Sequence, residues 1–339
     1  MLLLGGTKGM GVRDFLIYDF GKLIPDKLWI QIKYLQWFHK FPDLKHPKTY
    51  NEKLNWLKLY DRKPEYTTMV DKYEVKKWIS DRVGSQYVIP VVGGPWNSFN
   101  EINFERLPDQ FVLKTTHDCG GVYIVKDKNK INMEEAEAFL TEHLQTNYFM
   151  TCREWPYKNV KPRIFAEKYM TDKGGTLQNR GGQEVELEVD SQTERNCSLK
   201  DKQIDFNGIS VLEKEQLTDF KFFCFDGIPK FMFIATDRIS KTEETKFDFF
   251  DMNFKHLPFR QGHPNSNVKI DRPASFDLMK ELAGKLSKGM PQLRVDFYQV
   301  DGQVYVGELT FYHFSGLVPF VPSEWDYKFG SWIHLPLES

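Results

Sequence analysis

Two carboxylates open the chemical case. In the segment Arg294 to Gly316, RVDFYQVDGQVYVGELTFYHFSG, two β-rich runs meet at Asp301-Gly302, a hairpin turn pair. Asp296 and Glu308 then fall near each other on neighbouring strands, and with a side-chain period of two they can share a face. Two carboxylates so close in an apolar hairpin repel each other and need a cation or protons. Magnesium bound to a nucleotide phosphate meets that need, since it takes oxygen ligands and usually keeps several waters. The ordinary alternative is a solvated pair on an exposed sheet face.

Three other segments supply cations or backbone donors. In FVLKTTHDCGGVYIV, Lys114 ends an apolar strand before a polar loop holding Cys119, Gly120 and Gly121. A lysine there can aim its ammonium at a phosphate, and glycines let backbone N–H groups approach closely; an ordinary hairpin loop is the alternative. In VDKYEVKKWI, Lys72 falls in the first turn of a helix expected over Thr68 to Trp78. A cation is disfavoured there unless an anion is near, although a surface lysine would do. In FAEKYM, Glu167 and Lys168 follow an apolar strand whose backbone can offer hydrogen bonds to an adenine edge, unless they are a simple edge-strand charge pair. His117 and His313 flank two of these motifs, as substrate contacts or as structural histidines.

The elements that must position these groups are legible from periodicity. Residues 1–86 are expected to be mainly helical. Asp26 can cap a helix with Leu28, Trp29, Ile32, Leu35 and Trp37 at helical spacing, and Thr49 with Glu52 forms a capping-box pattern. Residues 87–170 carry short β runs and a helix opened by Asn132. Residues 171–217 are polar and glycine-rich, expected as an excursion or lid. Over 218–339, strands resume in hairpins, with Asp226-Gly227 as one turn and a helix at about Ser275 to Lys288. Hairpins separated by helices predict an α+β fold of two lobes with antiparallel sheets, preceded by a helical region.

Composition bounds the rest. The 339 residues are 41% hydrophobic and 15% aromatic, so the chain folds. A net charge of −1 argues against duplex nucleic acid as a partner. Four separated cysteines without a CxxC pair fit neither a zinc site nor a disulfide framework, which suits a reducing cytoplasm. MLLLGG lacks the basic start of a signal peptide, and no window approaches the roughly 20 apolar residues that span a bilayer. The aromatic stretch Leu28 to Phe41, on a basic background, leaves contact with the inner membrane face open beside docking on its own domain. GGTKGMG lacks the ending of a phosphate-binding Walker loop.

The order of the motifs, from DK through VLK with its glycine loop, EKYM and DFKF to RVD and GEL, resembles the ATP-grasp superfamily. The closer resemblance is to TupA-like, teichuronopeptide-biosynthesis-type ATP-grasp proteins. It covers roughly Leu23 to the C-terminus and rests on PKTYNEKLNWLKLYDRKPEYTTMVDKYEVKKWI, LPDQFVLKTTHDCGGVYIVKDK, DFKFFCFDG and GELTFYHFSG. The resemblance implies that Lys72 and Lys114 contact the nucleotide phosphates, with Lys114 also catalytic. It implies that Cys119, Gly120 and Gly121 lie in the phosphate-covering loop and that Glu167, Lys168 and Met170 form the adenine hinge. Asp219 would bind ribose, Asp296 and Glu308 would hold magnesium, and Arg294 would steady charge at the acyl centre. Thr310 stands where many such enzymes have Asn, and its hydroxyl can still serve the metal. Lys76 stands where Arg is common.

The implied activity uses ATP and Mg2+ to join a carboxylate to an amine or related nucleophile through an acyl phosphate. The implied setting is bacterial cell-surface polysaccharide assembly, with a small-molecule or glycan acceptor such as a uronic acid receiving an amino acid. A glycosyltransferase and a sugar phosphotransferase are the alternatives; the first lacks an Asp-x-Asp tripeptide here.

Overall fold

Eight helices and eleven strands position the site in a computed structural model that describes residues 21–171, 217–236, 244–266 and 268–336. Almost all of the polar segment 171–217, and the GGTKGMG motif, lie outside the described residues. The helices are α1 (Asp26–Phe38), α2 (Tyr50–Tyr60), α3 (Glu65–Val70), α4 (Val75–Val83), α5 (Met133–Leu144), α6 (Tyr148–Cys152), α7 (Phe276–Ser287) and α8 (Glu324–Gly330). The strands are β1 (Val91–Trp96), β2 (Phe111–Thr115), β3 (Val122–Val125), β4 (Ile164–Lys168), β5 (Asp219–Phe225), β6 (Ile228–Thr236), β7 (Lys246–Asp251), β8 (Arg260–Gln261), β9 (Leu293–Val300), β10 (Gln303–Thr310) and β11 (Phe320–Val321). Strands β7, β8 and β11 and helices α6 and α8 go beyond the sequence reading.

Local chemistry explains the helix starts. Thr49 and Glu52 close the expected capping box on α2, and Asn132 caps α5. Asp26 does not cap α1: it makes no capping hydrogen bond, and its carboxylate is taken up by Arg62 at 2.7 Å and Arg153 at 3.1 Å. The single helix expected over Thr68 to Trp78 is two, α3 and α4. The cause is Asp71, whose Oδ1 accepts the N–H groups of Tyr73 and Glu74 and so competes with helical bonding.

The smaller sheet has the order β1-β4-β2-β3, all antiparallel. Its Phe111, Leu113, Ile164 and Ala166 pack with Ala136 and Leu140 of α5. The larger sheet has the order β10-β9-β5-β6-β7, also antiparallel, and β8 and β11 pair separately. Phe222 of β5 meets Phe276 of α7 on one face. The other face carries an aromatic cluster in which Phe223 and Phe231 stack at 4.2 Å and Tyr50 of α2 lies edge-on to Phe225. Helices α2 to α4 build no core of their own. Leu54, Trp56, Tyr66, Met69, Trp78 and Ile79 join one continuous core with the larger sheet.

Candidate active site

Strand alternation sets the smaller sheet's two faces. Residues 111 and 113 point to the core, so Val112 and Lys114 point the other way, opposite Glu167 and Phe165 of β4. Glu167 is buried there and held by two lysines, Lys76 on Oε1 and Lys114 on Oε2. Burial alone would push its carboxyl up, but the charges of Lys114 and Lys76 win and hold it at about 2. Burial, partly offset by Glu167, lowers the Lys76 pKa.

Strand β4 is interior, not the edge strand that a simple charge pair would occupy. Both its neighbours use its backbone, and the Lys168 N–H already donates to the Pro90 carbonyl at 2.9 Å. Lys168 follows onto the opposite face from Glu167. Among the described residues, neither Lys168 nor Met170 joins the charged cluster.

The loop from Thr116 to Gly121 is anchored from within. Asp118 is buried, with Oδ1 accepting from Thr115 Oγ1 and Oδ2 meeting His143 Nδ1. Burial pushes Asp118 up, yet His143, Lys72 and Thr115 together hold it below its usual range. Lys72 reaches this loop twice: its N–H donates to Thr116 O at 3.0 Å and its ammonium to the Asp118 carbonyl. Arg163 fixes the segment before α4 by pairing with Asp71 and Glu74, both at 2.9 Å. Gly121 is required by close approach, since a Cβ there would lie 1.7 Å from Thr115 Oγ1. His117 is buried, and burial lowers its pKa.

In the larger sheet the two carboxylates face each other as expected, Glu308 directly opposite Asp296. A bulge at Gly307 makes this possible. Before it, Val304 and Val306 are buried; after it, Leu309 and Phe311 are, so the inward parity changes and Glu308 turns to the face of Asp296. The slip is visible in VYVGELTF as an alternation that breaks at a glycine. Gly307 also has no room for a side chain, because a Cβ would meet Tyr298 Cε2 at 2.6 Å.

The repulsion expected of this pair is already relieved by protein cations. Arg294 holds both oxygens of Asp296 at 2.7 Å, and Lys221 reaches Asp296 at 2.5 Å and Asp219 at 2.6 Å. Burial pushes Asp296 up, but Arg294 and Lys221 hold it below the usual carboxylate range. Burial disfavours charged Arg294, but Asp296 raises its pKa overall. Asp219 therefore stands in this row of charges, joined to Asp296 through Lys221. Glu308 is less committed, 3.6 Å from Arg294 and 42% exposed. His313 is a structural residue here: it is buried, and its Nδ1 accepts from Arg294 at 2.7 Å. Burial, then Arg294 and Lys221, lower its pKa well below normal, so it is neutral.

The turn after β10 carries left-handed backbone at Phe314, Ser315 and Gly316. Ser315 Oγ donates to buried Glu154, and its carbonyl accepts from Lys58 Nζ at 2.6 Å. Asn55 Nδ2 donates to Gly316 O at 2.8 Å. Lys58, Glu154, Lys221 and Asp118 escaped the sequence reading, and Lys76 is legible there only as a replacement for Arg, not as a partner of Glu167.

The two charged regions lie within each other's electrostatic reach. Burial, then the charges of Glu308, Glu154 and Cys119, raise the Tyr157 pKa, so all three act on its hydroxyl through the field. Cys119 is exposed on the loop, yet the protein crowding its thiol, followed by the Glu308 charge, pushes it up to about 11. The glycine loop thus lies across from the carboxylate pair.

Among the described residues, no three or more His, Cys, Asp and Glu side chains are arranged to hold a metal ion. The pair does fit magnesium arriving with a polyphosphate, which asks for only one or two protein carboxylates. Thr310 Oγ1 is buried without a partner at the position opposite Arg294, and offers a further oxygen.

A glycine loop over a carboxylate-bearing antiparallel sheet, with lysines from both lobes, defines an ATP-grasp arrangement. The chain belongs to the TupA-like ATPgrasp family, whose sequence profile matches residues 52–180 and 187–334. No curated protein matches it. Solved structures with some likeness include D-alanine–D-alanine ligase from Bacillus anthracis complexed with ATP, at 15% identity and TM-score 0.34, covering 72% of this chain and 54% of that one. The ATP-grasp ligase PsnB with minimal precursor, Mg and ADP shows 10% identity and TM-score 0.33, over 77% and 57%. L-amino acid ligase from Bacillus licheniformis shows 12% identity and TM-score 0.35, over 72% and 41%. The chain thus spans about half the length of these proteins.

Two outcomes follow from this geometry. Glu167→Gln leaves two lysines without their counter-charge and should cost about 3–5 kcal/mol at neutral pH. The folded pKa lies below the ordinary 4.5, so the native contribution is whole above about pH 4.5 and is lost as the pH falls toward 2. Denaturant melts across that range should show the gap between variant and wild type closing. For the bulge, Gly307→Ala should destabilise by about 1–3 kcal/mol through the Tyr298 clash. A double-mutant cycle with Tyr298→Ala should show the alanine better tolerated when the ring is gone; simple additivity would refute the contact.

Proposed function

We propose that the protein is an ATP-dependent ligase that activates a carboxylate as an acyl phosphate and passes the acyl group to an amine. The observation that carries this reading is the Arg294–Asp296–Glu308 row of the larger sheet together with the glycine loop that the Lys72 ammonium anchors. Membership of the TupA-like ATPgrasp family supports it.

In this reading Lys72 and Lys114 bind phosphates, Cys119, Gly120 and Gly121 cover them, and the chain beyond Lys168 receives adenine. Asp219 is the ribose acid by family analogy, and its bond to Lys221 would have to loosen for that role. Asp296 and Glu308, with Thr310, hold magnesium, which supplies charge neutralisation on the polyphosphate. Arg294, fixed by His313, stabilises negative charge gathering at the acyl centre. Exclusion of water protects the activated carboxylate. The finer proposal is a role in cell-surface polysaccharide assembly inside the cell, joining an amino acid to a uronic acid. That part rests on the family alone.

Calorimetry should show magnesium-ATP binding that weakens about ten- to a hundredfold in Lys114→Ala, because charge-assisted hydrogen bonds contribute roughly 1.5–3 kcal/mol each. Asp296→Asn should abolish turnover and also lower stability, since Arg294 and Lys221 lose their buried partner. Hydroxylamine added during turnover should trap a hydroxamate. ATP consumption without hydroxamate would replace the ligase with a sugar phosphotransferase.

A further inference from the structure

Helix α1 is apolar on two opposite sides. Trp29, Ile30 and Tyr34 are buried, and Trp29 Nε1 donates to Thr151 O at 3.0 Å. Leu28, Ile32 and Leu35, spaced i, i+4 and i+7, form a second stripe that faces outward and is 47%, 37% and 37% exposed. Leu23 and Phe41, on either side of the helix in the chain, are 79% and 62% exposed. A helix that is apolar on both sides is normally covered on both.

The charge around the stripe points to its cover. Residues 21–48 hold six lysines against two acids, in a chain whose net charge is −1. One acid, Asp26, is neutralised by Arg62 and Arg153; the other, Asp43, accepts the backbone N–H groups of Lys45 and His46. Lys22, Lys27 and Lys40 are exposed beside the leucines, and Lys33 lies over the Trp29 ring. Two copies meeting through this face would press like charges together. An interfacial helix on acidic lipid has the opposite situation: apolar side chains enter the acyl boundary while lysines meet the headgroups. We propose that α1, with Leu23 and Phe41, docks the protein on an anionic bilayer surface.

The full-length chain should sediment with vesicles of phosphatidylcholine and phosphatidylglycerol, and far less with phosphatidylcholine alone. Leu28→Gln, Ile32→Gln and Leu35→Gln together should weaken this by about tenfold or more while the melting temperature is kept. Each of Lys22→Gln, Lys27→Gln and Lys40→Gln should weaken it by about fivefold, an effect that salt should mimic. Equal sedimentation with both vesicle types, or unchanged binding by the triple variant, would overturn the proposal. So would a dimer by light scattering that the triple variant dissolves, which would make a second copy the occupant. Faster hydrogen exchange of α1 on removal of residues 1–20 would instead assign the cover to the chain's own start.

Discussion

Asp296 is a charge in the middle of a sheet, between Val295 and Phe297, and it is tolerated only because Arg294 and Lys221 meet it there. Much else in the molecule serves that arrangement. Arg294 must hold one orientation to grip both oxygens, and a neutral His313 accepting an Nη1–H fixes it. His313 is itself wedged against Phe223, ring centroids 5.0 Å apart. The turn that carries His313 is tied to α2 through Lys58 and Asn55. The helices ahead of the lobes therefore act as a wall that keeps a buried charge network in register. Burying such ions is costly unless every partner is in place, which explains why α2 shares its core with the larger sheet.

The same economy of pairing governs the smaller lobe. Lys114 and Lys76 share Glu167, and Lys72 rests on the carbonyl of Asp118. Each ammonium has an oxygen to hold it before a phosphate arrives. In the proposed reaction a nucleotide would exchange these contacts for phosphate oxygens, with cations already oriented and little ordering cost left. Asp118 makes this possible by pinning its loop through Thr115 and His143.

What could be read in advance follows the range of the interaction. The Asp-Gly hairpins, the Thr49–Glu52 box and the Asn132 cap obey local rules and are legible in a few residues. The Asp296–Glu308 pairing is legible because a two-residue turn joins their strands. The Asp71 turn that splits α3 from α4 was equally local, but the apolar spacing around it looked like one helix. The Gly307 bulge left a signal as well, in the shift from Val304 and Val306 to Leu309 and Phe311. No local rule leads from Lys76 to Glu167, from Lys221 to Asp219 and Asp296 together, or from Ser315 to Glu154. These contacts exist because strands distant in sequence become neighbours. The outward stripe of α1 was hidden for a related reason: helical spacing says that two faces are apolar, not which one the domain covers.

The turn at Phe314 and Ser315 shows how the network and the backbone constrain each other. Two non-glycine residues there adopt left-handed conformations, which cost roughly 1–2 kcal/mol apiece. A straight continuation of β10 would avoid that cost. It would also carry His313 away from Arg294 and Ser315 away from Glu154 and Lys58. Burial raises the Glu154 pKa and lowers that of Lys58, so each charge depends on the hydroxyl and carbonyl of Ser315 and on the other's field. The strained turn lets one serine address both, just beyond the strand that presents Glu308. Backbone strain of this kind persists where surrounding contacts over-determine it, and here those contacts come from α2, from the segment before β4 and from the Arg294–His313 bond. The strain is thus located at the junction of the helical wall, the carboxylate row and the buried Lys58–Glu154 network.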